Sequence, residues 1–347
     1  MPQNPLFIRP ATGLGIRAGR DADGPALIAL IWACWSAYPG IKMDVDAEMP
    51  ELHALATYYA TQGGALWVAE AGGMLTGMIA TRPLPDSTWE ICRVYVVPAQ
   101  HGSGLGHTLL DHAERHAIAA GASRLMLYSD TRFDRAHRFY EKRSYVRRGG
   151  VRVLNDISNS LEYGYAKPVD GIEHLDIAAV ESAAVRLTAI LVACVDDGAQ
   201  VGFLKPLAPA KATAFWRQIA SGIGAGTRAT VAAWRGGTLA GTGTIDLAAP
   251  EDQLHRAVVE TLLVHPAARR TGLGRQILQA LEHAAAANGR SLLTLQTPAG
   301  TACEALARSE AWQEAGRIPG LTRGADGTAR TSIFFWKQRS AIPLADG

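Results

Sequence analysis

The chain of 347 residues has little cysteine, almost no net charge and no long hydrophobic run. Its four cysteines, Cys34, Cys92, Cys194 and Cys303, lie far apart. None forms a Cys-x-x-Cys pair or a Cys/His cluster, which argues against a zinc site. They read as buried or partly buried thiols of a cytoplasmic protein. Basic residues number 34 and acidic residues 32, for a net charge of +2. That balance offers no electrostatic footprint to nucleic acid or to an anionic membrane. The opening, Met1-Pro2-Gln3-Asn4-Pro5, has no charged segment followed by an apolar one, so no signal peptide is expected. Leu27 to Trp35 is too short to span a bilayer. The longer apolar run, Ile177 to Val195, carries Glu181 and Arg186 and reads as a helix with a buried face. His101, His107, His112 and His116 fall close together, but the last three read as helix positions, and no metal site is expected.

What is present is apolar material, 48% of the chain, in a length suited to two domains. The order of elements repeats. Trp89 to Pro98 is a β-branched, aromatic run that predicts a strand. A glycine-rich loop, Ala99 to Gly106, follows. Leu109, Leu110, Ala113, Ala117 and Ala120 then mark an amphipathic helix that stops at Gly121. A strand at Arg124 to Tyr128, a short helix over Ala136 to Lys142 and a strand from Tyr145 complete the unit. In the second half Ala257 to Pro266 is the strand and Ala267 to Gly274 the loop. Ile277, Leu278, Leu281, Ala284 and Ala285 are the helix face, and Ser291 to Thr297 the next strand. Gly104 and Gly272 hold equivalent places, 272 − 104 = 168 residues apart, close to half the chain. The repeat predicts two copies of one α/β domain, over residues 1–167 and 172–339. The join falls near Ala166-Lys-Pro-Val-Asp-Gly171.

A glycine loop that opens a helix presents free backbone N–H groups and the positive end of the helix dipole, which suits a pyrophosphate. The expected contacts are His101, Gly102, Ser103, Gly104, Leu105 and Gly106 in one loop. In the other they are Arg269, Arg270, Thr271, Gly272, Leu273 and Gly274. A Rossmann fingerprint needs glycine at the sixth place, where His107 and Ile277 stand; a P-loop needs Gly-Lys-Ser/Thr, absent from both. The backbone N–H groups near Val96 and Val264, at the strand ends, are candidates for an oxyanion hole.

The loop spacing resembles that of the GNAT superfamily of acyl-CoA-dependent N-acyltransferases, Arg/Gln-x-x-Gly-x-Gly/Ala after a strand ending in Val-x-Pro. Arg269-Arg-Thr-Gly272-Leu-Gly274 matches in full; His101-Gly-Ser-Gly104-Leu-Gly106 departs at its first place. The resemblance covers nearly the whole chain. It implies two tandem domains, each a mixed, mostly antiparallel sheet flanked by helices, with acetyl-CoA as cosubstrate and a small-molecule amine as acceptor. It leaves a homodimer open. A glutamate on the strand before the loop is a base in this family, which implies that role for Glu90. The plainer reading of Glu90 is a strand carboxylate facing solvent or paired with Arg93. Ala136-His-Arg-Phe-Tyr140-Glu-Lys-Arg-Ser144-Tyr145 is similar to the family stretch whose tyrosine lies near the thioester sulfur, and it implies Tyr140 as the acid.

In the second half Glu260 is a weaker counterpart of Glu90, and Ala307 stands in the tyrosine's place. That half also looks like tabtoxin-resistance acetyltransferases, through Val195 to Phe203, Lys205-Pro-Leu, Phe215-Trp216 and Gly316 to Pro319. The tandem arrangement resembles mycothiol synthases. Asp44, Asp46 and Glu48 form an acidic segment that, in this fold, borders the acceptor cleft; a solvated loop is the plainer reading. Three readings stand at this level: catalysis in the first half, catalysis confined to the second, and an acyl-CoA sensor or scaffold without turnover.

Overall fold

A computed structural model describes residues 14–324 and 327–339; the opening stretch Met1–Pro5 lies outside them. The described chain falls into two compact units. One runs up to Arg138 and takes in Arg148–Val169. The other takes in Phe139–Arg147 and the chain from Asp170 onward.

The first seven-stranded sheet contains β1 (Leu14–Ala18), β2 (Ala65–Ala71), β3 (Met74–Pro83), β4 (Thr88–Val96), β5 (Arg124–Asp130), β6 (Val146–Val153) and β7 (Leu161–Pro168). Its order is β1-β2-β3-β4-β5-β7-β6. Helices α1 (Gly24–Trp35), α2 (Val45–Glu48) and α3 (Leu55–Thr61) precede β2. Helix α4 (Leu105–Ala119) follows β4, and α5 (Asp134–Lys142) follows β5. The second sheet contains β8 (Gly171–Leu175), β9 (Arg228–Arg235), β10 (Thr238–Asp246), β11 (Arg256–Val264), β12 (Leu292–Pro298), β13 (Gln313–Arg323) and β14 (Ala329–Gln338). Its order is β13-β14-β12-β11-β10-β9-β8. Helices α6 (Ile177–Asp196), α7 (Pro209–Gly224), α8 (Leu273–Ala287) and α9 (Ala302–Ser309) flank it. The expected mixed, mostly antiparallel sheets are therefore present twice. β4 and β5 pair in parallel, as do β11 and β12, while β2–β3–β4 and β9–β10–β11 run antiparallel.

The parallel pairings are short, and this shapes the site. Thr88–Glu90 pair with Arg124–Met126, and Arg256–Val259 with Leu292–Leu295. Past Glu90 and Val259 the two strands no longer share a register, so a gap opens in the middle of each sheet. The glycine loop leaves from the end of the strand at that gap.

Each loop helix buries most of the apolar stripe read from its sequence, Leu109, Leu110, Ala113 and Ala117 in α4 and Ile277, Leu278, Leu281, Ala284 and Ala285 in α8; Leu105 and Leu273 are buried with them, whereas Ala120 caps the end of α4 and is exposed. Gly77 and Gly241 let these helices approach the sheet. A Cβ on Gly77 would lie 2.8 Å from Leu109 Cδ1, and one on Gly241 2.8 Å from Ile277 Cδ1. The apolar helix α6 is long enough to cross a membrane by length and composition. It instead buries Val180, Leu187, Ile190 and Leu191 with Trp216 and Trp234 in the second core.

A second repeated feature is polar and escaped the sequence pattern. Glu114 on α4 is buried and pairs with buried Lys167 on β7 at 2.8 Å. Glu282 on α8 is 1% exposed and receives Lys337 Nζ at 2.8 and 2.9 Å. In both units a buried carboxylate on the loop helix ties it to a late strand. The signal was there as Glu114 and Glu282, 168 residues apart, but the partners are remote in sequence.

Candidate active site

Both glycine loops fold as helix caps. Gly104 is the N-cap of α4 with φ 90° and Gly272 the N-cap of α8 with φ 86°, a left-handed conformation that a Cβ disfavours. The first intrahelical donors are Thr108, to Gly104 O at 3.1 Å, and Gln276, to Gly272 O at 3.2 Å. The amides before them have no acceptor within the helix and point out of its end. Two hydroxyls brace the turns: Ser103 Oγ donates to Gln100 O at 2.7 Å and accepts from Leu105 N–H at 3.3 Å, and Thr271 Oγ1 donates to Ala268 O at 2.8 Å. A Cβ built on Gly104 or Gly272 meets nothing within 4 Å, so the space before each cap is open. An open, carboxylate-free loop at the positive end of a 15-residue helix fits the diphosphate of coenzyme A. Gly102 and Arg270 hold the same place and both take positive φ, 83° and 63°. The second loop thus adds an exposed cation there.

The strand ends lie beside the loops. Val97 N–H donates to Thr76 O on β3 at 2.9 Å, and His265 N–H to Ala240 O on β10 at 2.8 Å. Main-chain donors alternate in direction along a strand. The preceding amides, of Val96 and Val264, therefore turn to the side from which β5 and β12 have separated. His101 Nε2 lies 3.0 Å from Val96 O, and Arg269 Nε donates to Val264 O at 3.3 Å. Arg269 is also ion-paired with Asp197. Burial pushes the thiols of Cys34, Cys194 and Cys303 above the ordinary range, and that of Cys92 to about 12.

Glu90 is 9% exposed and is held by Arg82, not by Arg93. Arg82 Nε donates to Glu90 Oε2 at 2.8 Å and Arg82 Nη1 to Gln62 Oε1 at 2.7 Å. Arg93 turns at a positive φ of 53° and pairs with Glu51 at 2.6 Å. In the second sheet the third parallel pair, matching Glu90 with Met126, is Val258 with Thr294. Glu260 lies two residues on, at a bulge in the β10–β11 register, and takes both Arg228 Nε and Nη2. Tyr140 is buried, with its ring 5.3 Å from Phe139 and 6.0 Å from Tyr145. It falls in the second compact unit, whereas Glu90 falls in the first.

The match of Tyr140 with Ala307 holds in the backbone. Tyr145 N–H donates to Tyr140 O, Trp312 N–H donates to Ala307 O, and Ser144 and Ala311 both take positive φ, 68° and 61°. The acidic segment is structural: Asp44 caps α2, Asp46 meets His53 at 3.0 Å, and Glu48 accepts from Ile157 N. Sequence reasoning missed Arg82, Asp197 and the approach of Cys34 and Cys194 to the strand ends. Arg82 meets Glu90 through the β3–β4 register, and Asp197, Cys34 and Cys194 reach their partners across 62 to 72 residues, which no local pattern announces.

Comparison with known proteins agrees with the repeat. The family model described as Acetyltransferase (GNAT) family matches residues 25–145 and again 191–307. A mycothiol acetyltransferase of Saccharopolyspora erythraea is 29% identical over 138 residues, which is 39% of this chain and 44% of that protein, less than half its length. An acetyltransferase structure from Streptococcus agalactiae shares 23% identity over 46% of this chain and 99% of its own, with a TM-score of 0.40. A putative acetyltransferase from Salmonella typhimurium, solved with its cofactor acetyl-CoA, shares 17% over 51% and 98%, with a TM-score of 0.42. With both halves matched and a glycine cap at the head of each loop helix, the chain belongs to the GNAT family of acetyltransferases, whose cosubstrate is acetyl-CoA.

Proposed function

We propose that this protein moves an acetyl group from acetyl-CoA to the amine of a small or amino-acid-like molecule, with the chemistry in residues 1–167. One observation carries this reading. The first half has a carboxylate at the third parallel strand pair and a phenol on its short helix, Glu90 and Tyr140, where the second half has Val258 and Ala307.

Acetyl-CoA supplies an acyl group already activated as a thioester. An alkyl amine has a free pKa of about 10.4, so a base must take its proton before attack. Glu90 is the proposed acceptor, oriented by Arg82. The Val96 N–H, turned toward the gap, stabilises negative charge on the carbonyl oxygen. The Tyr140 hydroxyl, an acid of pKa about 10, donates to the departing sulfur, whose own pKa is about 8.5. The second loop holds coenzyme A without either proton carrier.

The test is acetyl-CoA-dependent thiol release with a panel of small amines. Tyr140→Phe and Glu90→Gln should each lower kcat by about 10²- to 10⁴-fold. Ala307→Tyr should leave it within about twofold. Full activity in Tyr140→Phe would remove the proposed acid, and release confined to an active second half would move the chemistry there.

A further inference from the structure

At the first place of the loop one unit departs from the family pattern, with His101, while the other keeps it, with Arg269. The two side chains differ in charge, shape and length, yet both reach the same backbone atom. His101 Nε2 is 3.0 Å from Val96 O and Arg269 Nε 3.3 Å from Val264 O. Each carbonyl also receives a thiol from a helix. Cys34 Sγ on α1 is 3.4 Å from Val96 O, and Cys194 Sγ on α6 is 3.3 Å from Val264 O. A carbonyl oxygen has two lone pairs, enough for both donors. The same three-way junction of loop, strand end and helix is therefore built twice, from different loop side chains.

We propose that His101 and Arg269 are positioning residues, each clasping its glycine loop to the end of the preceding strand, and that neither is a ligand of the diphosphate. The inference rests on the reading that these loops bind coenzyme A. Charge supports it. Arg269 is occupied twice, by Val264 O and by Asp197, so its cation is already matched by a carboxylate. A side chain that binds the diphosphate through its charge needs that cation turned to the phosphates, whereas a clasp needs only one N–H at the right reach. An imidazole with a proton on Nε2 provides that N–H. A histidine at the first place then costs the loop nothing, and the diphosphate is left to the backbone amides of the cap. The clasped residue is also the one whose N–H faces the gap in the sheet. The junction thus fixes the loop and the oxyanion donor relative to each other, where an error of about 1 Å matters.

The experiment is calorimetric titration of the full-length protein with coenzyme A, alongside KM for acetyl-CoA and for the amine. His101→Phe, which keeps a ring but has no donor, should weaken binding about three- to tenfold and raise KM for acetyl-CoA alike, with KM for the amine unchanged. His101→Gln, neutral but with an N–H, should restore both to within about twofold. His101→Gln no better than His101→Phe would overturn the clasp.

Cys34→Ala adds a second readout. Combined with His101→Phe, its effect should differ from the product of the single effects by more than about twofold, since the two donors share one acceptor. A simple product overturns the shared junction. Cys34→Ser keeps a donor and serves if the alanine variant does not fold. Absence of any coenzyme A binding by the wild type overturns both readings, whereas binding with unaltered His101 variants overturns the clasp alone.

Discussion

Replacing Glu282 with leucine isolates the buried polar anchor of the second unit. Leucine is close in volume, so the cavity contribution is small and the polar loss dominates. Glu282 Oε1 accepts from Trp312 Nε1 at 2.9 Å and Lys337 Nζ at 2.8 Å; Oε2 accepts from Lys337 at 2.9 Å and from Arg339. Trp312 is 4% exposed, so its indole N–H loses its acceptor in a place water does not reach, worth about 1–3 kcal/mol. The Lys337 and Arg339 side chains are 22% and 30% exposed and swing partly to solvent, which lowers their share. Breaking a buried pair costs about 3–5 kcal/mol, and the lower end, about 3 kcal/mol, is expected here. For a unit of this size that is a drop of about 6–12 °C in Tm. Glu282→Gln keeps an acceptor for Trp312 and should lose roughly half as much. Urea unfolding followed by tryptophan fluorescence, with calorimetry, measures both. A loss under about 1 kcal/mol for leucine, or equal losses for leucine and glutamine, would refute the argument.

Gly241→Ala would place a Cβ 2.8 Å from Ile277 Cδ1 and 2.9 Å from Leu263 O, and Gly77→Ala one 2.8 Å from Leu109 Cδ1 and 3.1 Å from Tyr95 O. Each should cost about 1–3 kcal/mol by lifting the loop helix off the sheet, and unchanged unfolding midpoints would contradict the close approach. His112 and His116 lie edge-on to Trp67, each with centroids 4.9 Å away, and burial holds both imidazoles below their ordinary value, with Arg115 adding to the effect at His112. A depressed folded value means the stability is present above the unfolded value of about 6.5 and is lost as the pH falls through the folded one. The first unit should therefore weaken between about pH 7 and 5, and His116→Phe should flatten that slope; a slope identical in wild type and variant counts against it.

The repeat, the two loops and their helices were legible because they rest on local rules. Apolar spacing marks a helix face, and left-handed glycines mark a cap, wherever they occur in a fold. The 168-residue offset of Gly104 and Gly272 reappears as two caps of nearly equal φ. Pairings were different. Glu90 had Arg93 three residues away, but the β3–β4 register sets Arg82 directly opposite it, and the turn at Arg93 sends that side chain to Glu51. The acidic run at Asp44, Asp46 and Glu48 spends its carboxylates on a helix cap, a histidine and a backbone amide.

The sequence by itself determined that two glycine-capped units exist and which residues line each loop, because turns and helix faces are set within a few residues. Only the tertiary structure decided which charges meet, that Phe139–Arg147 joins the second unit, and that His101 and Arg269 do the same work at the strand end. Strand register chooses between near neighbours, as it sets Arg82 rather than Arg93 against Glu90, and helix packing brings Cys34 and Cys194 to strand ends some 60 to 70 residues away; neither is encoded within a few residues.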